Sequence, residues 1–191
     1  LIALVGIFTG HFDRWLVIAF LDIEQFANYS LIIYLATSIL IFPQKFLSII
    51  AQYLKEYYVY EKDKNLYLKN IINLISITVC LFSVILIIIN FLTPLIISSF
   101  FIKYKIVISL IPLMICLVFY RYILSVLFAL LNLEKKQKLV IISQISYLII
   151  SFILFTIIGF FYEINLNSIL WTINLVIIFQ ILITLYLFMI N

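Results

Sequence analysis

From Asn70 to Ile102 the chain carries no Asp, Glu, Lys or Arg, and the same holds from Leu139 to Tyr162 and from Ile164 to Asn191. A helix rises about 1.5 Å per residue, so about 20 apolar residues cross a hydrocarbon layer of about 30 Å. The uncharged runs are too long for strands and do not alternate, and lipid accepts only helices or closed barrels. Charge clusters divide the chain into six apolar segments, over residues 1–21, 28–53, 70–98, 106–132, 139–162 and 169–190. The expectation is an all-α polytopic membrane protein, one bundle of six transmembrane helices over residues 1–191.

Composition narrows the function classes. Hydrophobic residues make up 67% of the chain and charged residues 10%, with 3 Gly and 3 Pro against 18 Phe and 13 Tyr. A soluble domain carries about a quarter charged residues. Disorder, collagen-like and disulfide-rich secreted folds, and a water-soluble enzyme are excluded on these grounds. No HExxH, GxSxG or P-loop pattern and no zinc-ligand cluster occurs, so neither an enzyme nor a cofactor is expected. Cys80 and Cys116 sit inside apolar runs and read as buried helix residues rather than a disulfide or metal pair. No basic run interleaved with aromatics suggests nucleic acid. Leu1 to Val5 is apolar with no charged flank before it, so the chain reads as a piece that opens inside a helix.

Basic residues set an orientation. The connection from Lys55 to Lys69 and the turn from Glu134 to Lys138 together hold seven lysines. Asp22 and Glu24, Lys103 and Lys105, and Glu163 occupy the connections on the other face. The positive-inside rule places the seven lysines and the C-terminus in the cytoplasm. Tyr57, Tyr58, Tyr60, Tyr162 and Trp171 then fall at the two interfaces as an aromatic belt. The stretch from Lys55 to Lys69 is either a solvated loop or an amphipathic segment on the inner leaflet.

Ionisable residues within the spans are the candidate functional groups, because each costs about 2.5–3.5 kcal/mol to insert unless it is paired or wetted. His11, Arg14 and Trp15 share one face of the first helix, while Asp13 lies about 100° round from Arg14. The group either borders a water-filled groove or supplies an Asp–Arg pair that locks two helices together. Ser30, Tyr34, Thr37, Lys45, Ser48 and Gln52 form a polar stripe on the second helix, which should face protein or water rather than lipid. Lys45, two residues after Pro43, either joins that surface or snorkels to the interface. Asn70, Asn73, Ser76, Cys80, Ser83 and Asn90 give the third helix its own stripe, cavity lining or helix–helix glue. Arg121, flanked by Tyr120 and Tyr122, needs an anionic partner or water. Ser143, Tyr147 and Ser151 share one face of the fifth helix, and the last two helices read as packing elements. Arg14, Lys45 and Arg121 outnumber Asp13, so the interior surface is expected to be cationic and to favour an anionic passenger over a cationic drug.

The run from Asp13-Arg14 to Asn28-Tyr29-Ser30, the continuation Tyr34-Leu35-Ala36-Thr37 to Phe42-Pro43, and the stretch Leu130 to Lys138 resemble the second half of Wzx-type polysaccharide flippases. The chain differs in lacking a second proline at the end of the second span, around Gln52. The resemblance covers nearly the whole chain and implies the superfamily of multidrug and oligosaccharidyl-lipid exporters. It implies a fold of twelve or more helices in two six-helix lobes, of which this chain would be the C-terminal lobe. The implied activity moves an undecaprenyl-diphosphate-linked oligosaccharide across the bacterial cytoplasmic membrane by alternating access. The implied partners are that lipid-linked oligosaccharide, the bilayer, an N-terminal six-helix half and a polysaccharide polymerase. Asp13, Arg14 and Arg121 would line the cavity, with Lys45 and His11 beside it. A multidrug exporter of the same superfamily and a non-catalytic structural membrane subunit are the alternatives.

Overall fold

The computed structural model describes residues 11–15, 17–60, 64–161 and 164–190. Among the described residues every long element is a helix, and five helical segments are long and apolar enough to cross a membrane. The chain is a multi-pass membrane protein. The expected first span falls largely on residues 1–10, outside the described set; residues 11–15 and 17–20 are helical and are called α1.

Then follow α2 (Ile23–Tyr60), α3 (Lys64–Phe100), a 3-10 segment (Ile102–Leu110), α4 (Ile111–Leu133), α5 (Gln137–Phe161) and α6 (Leu166–Ile190). The expected boundaries are corrected at several ends. The second helix starts at Ile23 rather than at 28, because Asp22 Oδ1 accepts the Gln25 backbone N–H at 2.7 Å and caps it. It then runs beyond residue 53, and α3 begins at Lys64 rather than 70, so most of the lysine-rich connection is helix and not loop. At about 1.5 Å per residue the 38 residues of α2 reach about 57 Å, well past the hydrocarbon layer. Neither Gly nor Pro interrupts residues 54–69, so nothing in the sequence stops the helices where the membrane ends.

The fourth span enters through the 3-10 segment, with Tyr104 off helical geometry at φ −104° and ψ 22°. Pro112 sits in the first turn of α4, where its missing N–H costs nothing. At the other end, Lys136 N–H reaches Leu131 C=O at 2.8 Å and Lys135 N–H reaches Asn132 C=O at 3.1 Å. This is a Schellman ending with Lys135 left-handed at φ 60°. Asn165 and Ser168 cap α6 reciprocally, each side-chain oxygen accepting the other's backbone N–H at 2.9 and 3.0 Å.

Helix α4 is the hub, packed against α2, α3 and α6, and α5 packs chiefly on α6. Its inward stripe is Ile111, Met114, Leu117, Val118, Tyr122 and Val126, at helical spacing. The exterior is just as apolar, with Phe42, Phe91, Leu95, Phe152 and Leu182 exposed, as a lipid-facing surface requires. Cys80 and Cys116 belong to that exterior: both are free and exposed, not buried. In a span the outside is as hydrophobic as the core, so an apolar setting did not specify burial.

Candidate functional site

Helix α1 turns Asp13 and Val17 inward and leaves His11, Arg14, Trp15, Ile18 and Phe20 outward. Asp13 is 2% exposed. Tyr29, one turn and a half into α2, donates its hydroxyl to Asp13 Oδ2 at 2.8 Å. From α4, Arg121 Nη2 approaches the same oxygen at 3.4 Å. Three helices thus meet on one carboxylate. A distance of 3.4 Å is long for a charge-assisted bond, and Asp13 Oδ1 has no hydrogen-bond partner among the described residues.

Arg121 is 24% exposed because it also lines a cleft of about 210 Å³. Gln44 of α2, Leu124, Ser125 and Phe128 of α4, Gln144 and Tyr147 of α5, and Ile177 and Gln180 of α6 form the rest of its wall. Gln44 Nε2 donates to Ser125 Oγ at 3.1 Å, and Ser125 in turn donates to the Arg121 carbonyl at 2.9 Å. Gln144 Oε1 is buried with no partner among the described residues. The cleft therefore presents amides, hydroxyls and one guanidinium between apolar side chains of the bundle. Among the described residues that guanidinium bonds only Asp13, so most of its N–H donors are available on the cleft side.

Below the cleft, α5 and α6 are joined by a polar seam. Ser143 Oγ and Thr184 Oγ1 share a hydrogen bond of 2.6 Å, and Gln180 Nε2 donates to the Ser143 carbonyl at 3.3 Å. Asn174 Nδ2 donates to the Leu113 carbonyl of α4 at 3.2 Å and to its own Leu170 carbonyl at 2.9 Å. Ser143, Tyr147 and Ser151 are all buried, as one shared face requires.

Of the sequence candidates, the structure brings together Asp13 and Arg121. Arg14, His11 and Lys45 are exposed and do not line the cleft. Arg121 is paired with Asp13, so the expected surplus of interior cations is not gathered at this site. Asp13 pairs with an arginine of another helix, Arg121, and that arginine borders the cleft, while His11 and Arg14 of the first-helix group do not. Gln44, Gln144 and Gln180 were not singled out from the sequence. A lone glutamine inside an apolar span is uncharged, and only its neighbours reveal that three of them face one space.

Ser30, Tyr34, Lys45, Ser48 and Gln52 are exposed, Tyr34 at 68%, while Tyr29, Ile32, Ile33, Ala36 and Leu40 take the buried face. On α3, Asn73, Ser76 and Cys80 are exposed and Ser83 and Asn90 are half-buried, while Thr78, Phe82, Leu86 and Ile97 pack inward; the Asn70 side chain lies outside the described set. Comparison with family models, curated proteins and solved structures finds no match to this chain.

Proposed function

We propose that the chain is a lobe of a membrane transporter that moves a lipid-diphosphate-linked oligosaccharide across the cytoplasmic membrane, with its C-terminus in the cytoplasm. The observation that carries the reading is the cleft itself. One guanidinium, with donors left over after its bond to Asp13, stands among Gln44, Ser125, Gln144, Tyr147 and Gln180 in a membrane-spanning bundle. A sugar is recognised by amides and hydroxyls that exchange hydrogen bonds, and a diphosphate by an arginine fork. A polar stripe from Ser30 to Gln52 is exposed on α2, and a stripe of that kind is costly against lipid. A second six-helix lobe facing it would enclose a polar path, and rocking of two lobes would open the path to each side in turn.

A cationic drug is the less suitable passenger. The carboxylate of Asp13 is buried and engaged by Tyr29 and Arg121, so no anionic group faces the cleft among the described residues.

The test uses the protein expressed from its own reading frame and reconstituted in liposomes with a polyprenyl-diphosphate oligosaccharide. Flipping is read as the oligosaccharide exposed to an external glycosidase. Loss of a charge-assisted bond of about 1.5–3 kcal/mol predicts that Arg121→Ala slows flipping by about 10- to 100-fold. Gln144→Leu should slow it by less, and Arg14→Ala least of all. Unchanged flipping in both Arg121→Ala and Gln144→Leu overturns the assignment, and efflux of a cationic dye with no flipping selects the drug exporter.

A further inference from the structure

Helices α2 and α3 are consecutive in the chain and both span the membrane, yet they barely touch. Between them lies a second cavity of about 430 Å³, on the opposite side of the α2–α4 contact from the polar cleft. Phe42, Pro43 and Phe46 form one wall, and Leu81, Phe82 and Ile85 the other. Its floor is Tyr122 of α4, whose ring lies 4.5 Å from that of Phe82, centroid to centroid. No charged side chain lines it. Ser38, at its rim, has its hydroxyl turned to the Tyr34 carbonyl at 2.8 Å.

We infer that this groove is the seat of an acyl chain from a bilayer phospholipid. The outer parts of its walls are themselves lipid-facing: Phe42 is 74% exposed, and Phe46, Leu81 and Ile85 are exposed beside it. The groove is therefore continuous with the surface that the bilayer already covers. An unfilled gap forfeits the dispersion contacts of every atom that lines it, and lipid chains are as apolar as the Leu and Phe around them. Hydrocarbon enters such a gap at no desolvation cost. The chain of a lipid carrier is the poorer occupant, because a headgroup held in the polar cleft would lie across the α2–α4 contact from its own tail.

The two cavities share neighbouring residues. Pro43 faces the groove and Gln44 the cleft on α2, and Tyr122 and Arg121 divide in the same way on α4. Pro43 has no N–H, so α2 lacks one rung of its ladder at this level. A seated chain thus supports the weakest turn of α2 from behind, opposite the Gln44–Ser125 bond. The choice of a bilayer phospholipid over the carrier rests on the reading of the polar cleft, whereas an acyl chain in the groove does not.

The test is fluorescence quenching by dibrominated phosphatidylcholine, in the full protein carrying Trp15→Phe and Trp171→Phe and a single new tryptophan. Phe82→Trp reports from the groove, where position 82 is buried, and Met114→Trp reports from an equally buried site away from it. Phe152→Trp, on the exposed face of α5 and outside the groove, is the lipid-contacting reference. The seated chain predicts that Phe82→Trp is quenched nearly as strongly as Phe152→Trp, while Met114→Trp stays bright. Should Phe82→Trp fail to fold, Ile89→Trp, also in the groove lining, takes its place against the same control. A groove tryptophan as bright as Met114→Trp overturns the inference, since protein then covers the groove. Recovery of the quenched emission on adding a long-chain polyprenyl phosphate also overturns it, by assigning the groove to the carrier.

Discussion

Removal of either member of the Asp13–Arg121 pair should destabilise the bundle, and unequally. Arg121→Met leaves the Asp13 carboxylate 2% exposed, with Tyr29 as its one remaining partner and Oδ1 still unpartnered. Breaking a buried pair in this way costs about 3–5 kcal/mol, because the surviving charge has no compensation. Asp13→Asn leaves Arg121 instead, and Arg121 is 24% exposed to a polar cleft that can hydrate it. At 3.4 Å the lost contact is also long, so about 1–2 kcal/mol is expected. Asn retains an acceptor for the Tyr29 hydroxyl, which keeps the loss at the low end. The double variant Asp13→Asn with Arg121→Met removes both charges, and its cost should fall short of the sum by about 1–3 kcal/mol. The assay is reversible unfolding of the purified protein in mixed micelles by added denaturing detergent, followed by far-UV circular dichroism. Additivity within about 0.5 kcal/mol, or a larger cost for Asp13→Asn than for Arg121→Met, would refute the reasoning.

Three further outcomes follow from particular geometries. Lys135 is left-handed at the end of α4, a conformation that costs a side-chain-bearing residue about 1 kcal/mol, so Lys135→Gly should raise stability by about 0.5–1 kcal/mol and Lys135→Val should lower it. Asp22 caps α2 and Asn165 caps α6, and each substitution by Ala should cost about 1 kcal/mol in the same unfolding assay. With Cys80 and Cys116 replaced by Ala, Lys138→Cys should react with an impermeant maleimide from the cytoplasmic side and Lys103→Cys from the other, since one crossing, Ile102–Leu133, separates them. Labelling of both from one side would remove that crossing.

Much of this architecture is legible without coordinates. The uncharged runs through 70–102, 139–162 and 164–191 are long enough that only transmembrane helices satisfy the backbone in lipid, and the charge clusters between them mark where the chain turns. Asp13 and Arg121 stand out for the same reason, because a charge inside a span is expensive and must have a partner or water. Their partnership is a different matter. They are 108 residues apart, and the sequence offered Arg14 and Lys45 as interior cations besides Arg121. Which cation meets Asp13 depends on α4 packing at the centre of the bundle, with α1 and α2 on the same flank. Helix faces were also beyond reach for α6, where Thr172, Asn174, Gln180 and Thr184 are all buried. Lipid makes an apolar outer face as favourable as an apolar inner one, so hydrophobic periodicity, which marks the core side in water, loses its contrast here. Sequence by itself determined that the chain spans a membrane in helices and that a few charges within them need partners. Only the packing of those helices decided that Arg121 takes Asp13 and that three glutamines share its cleft.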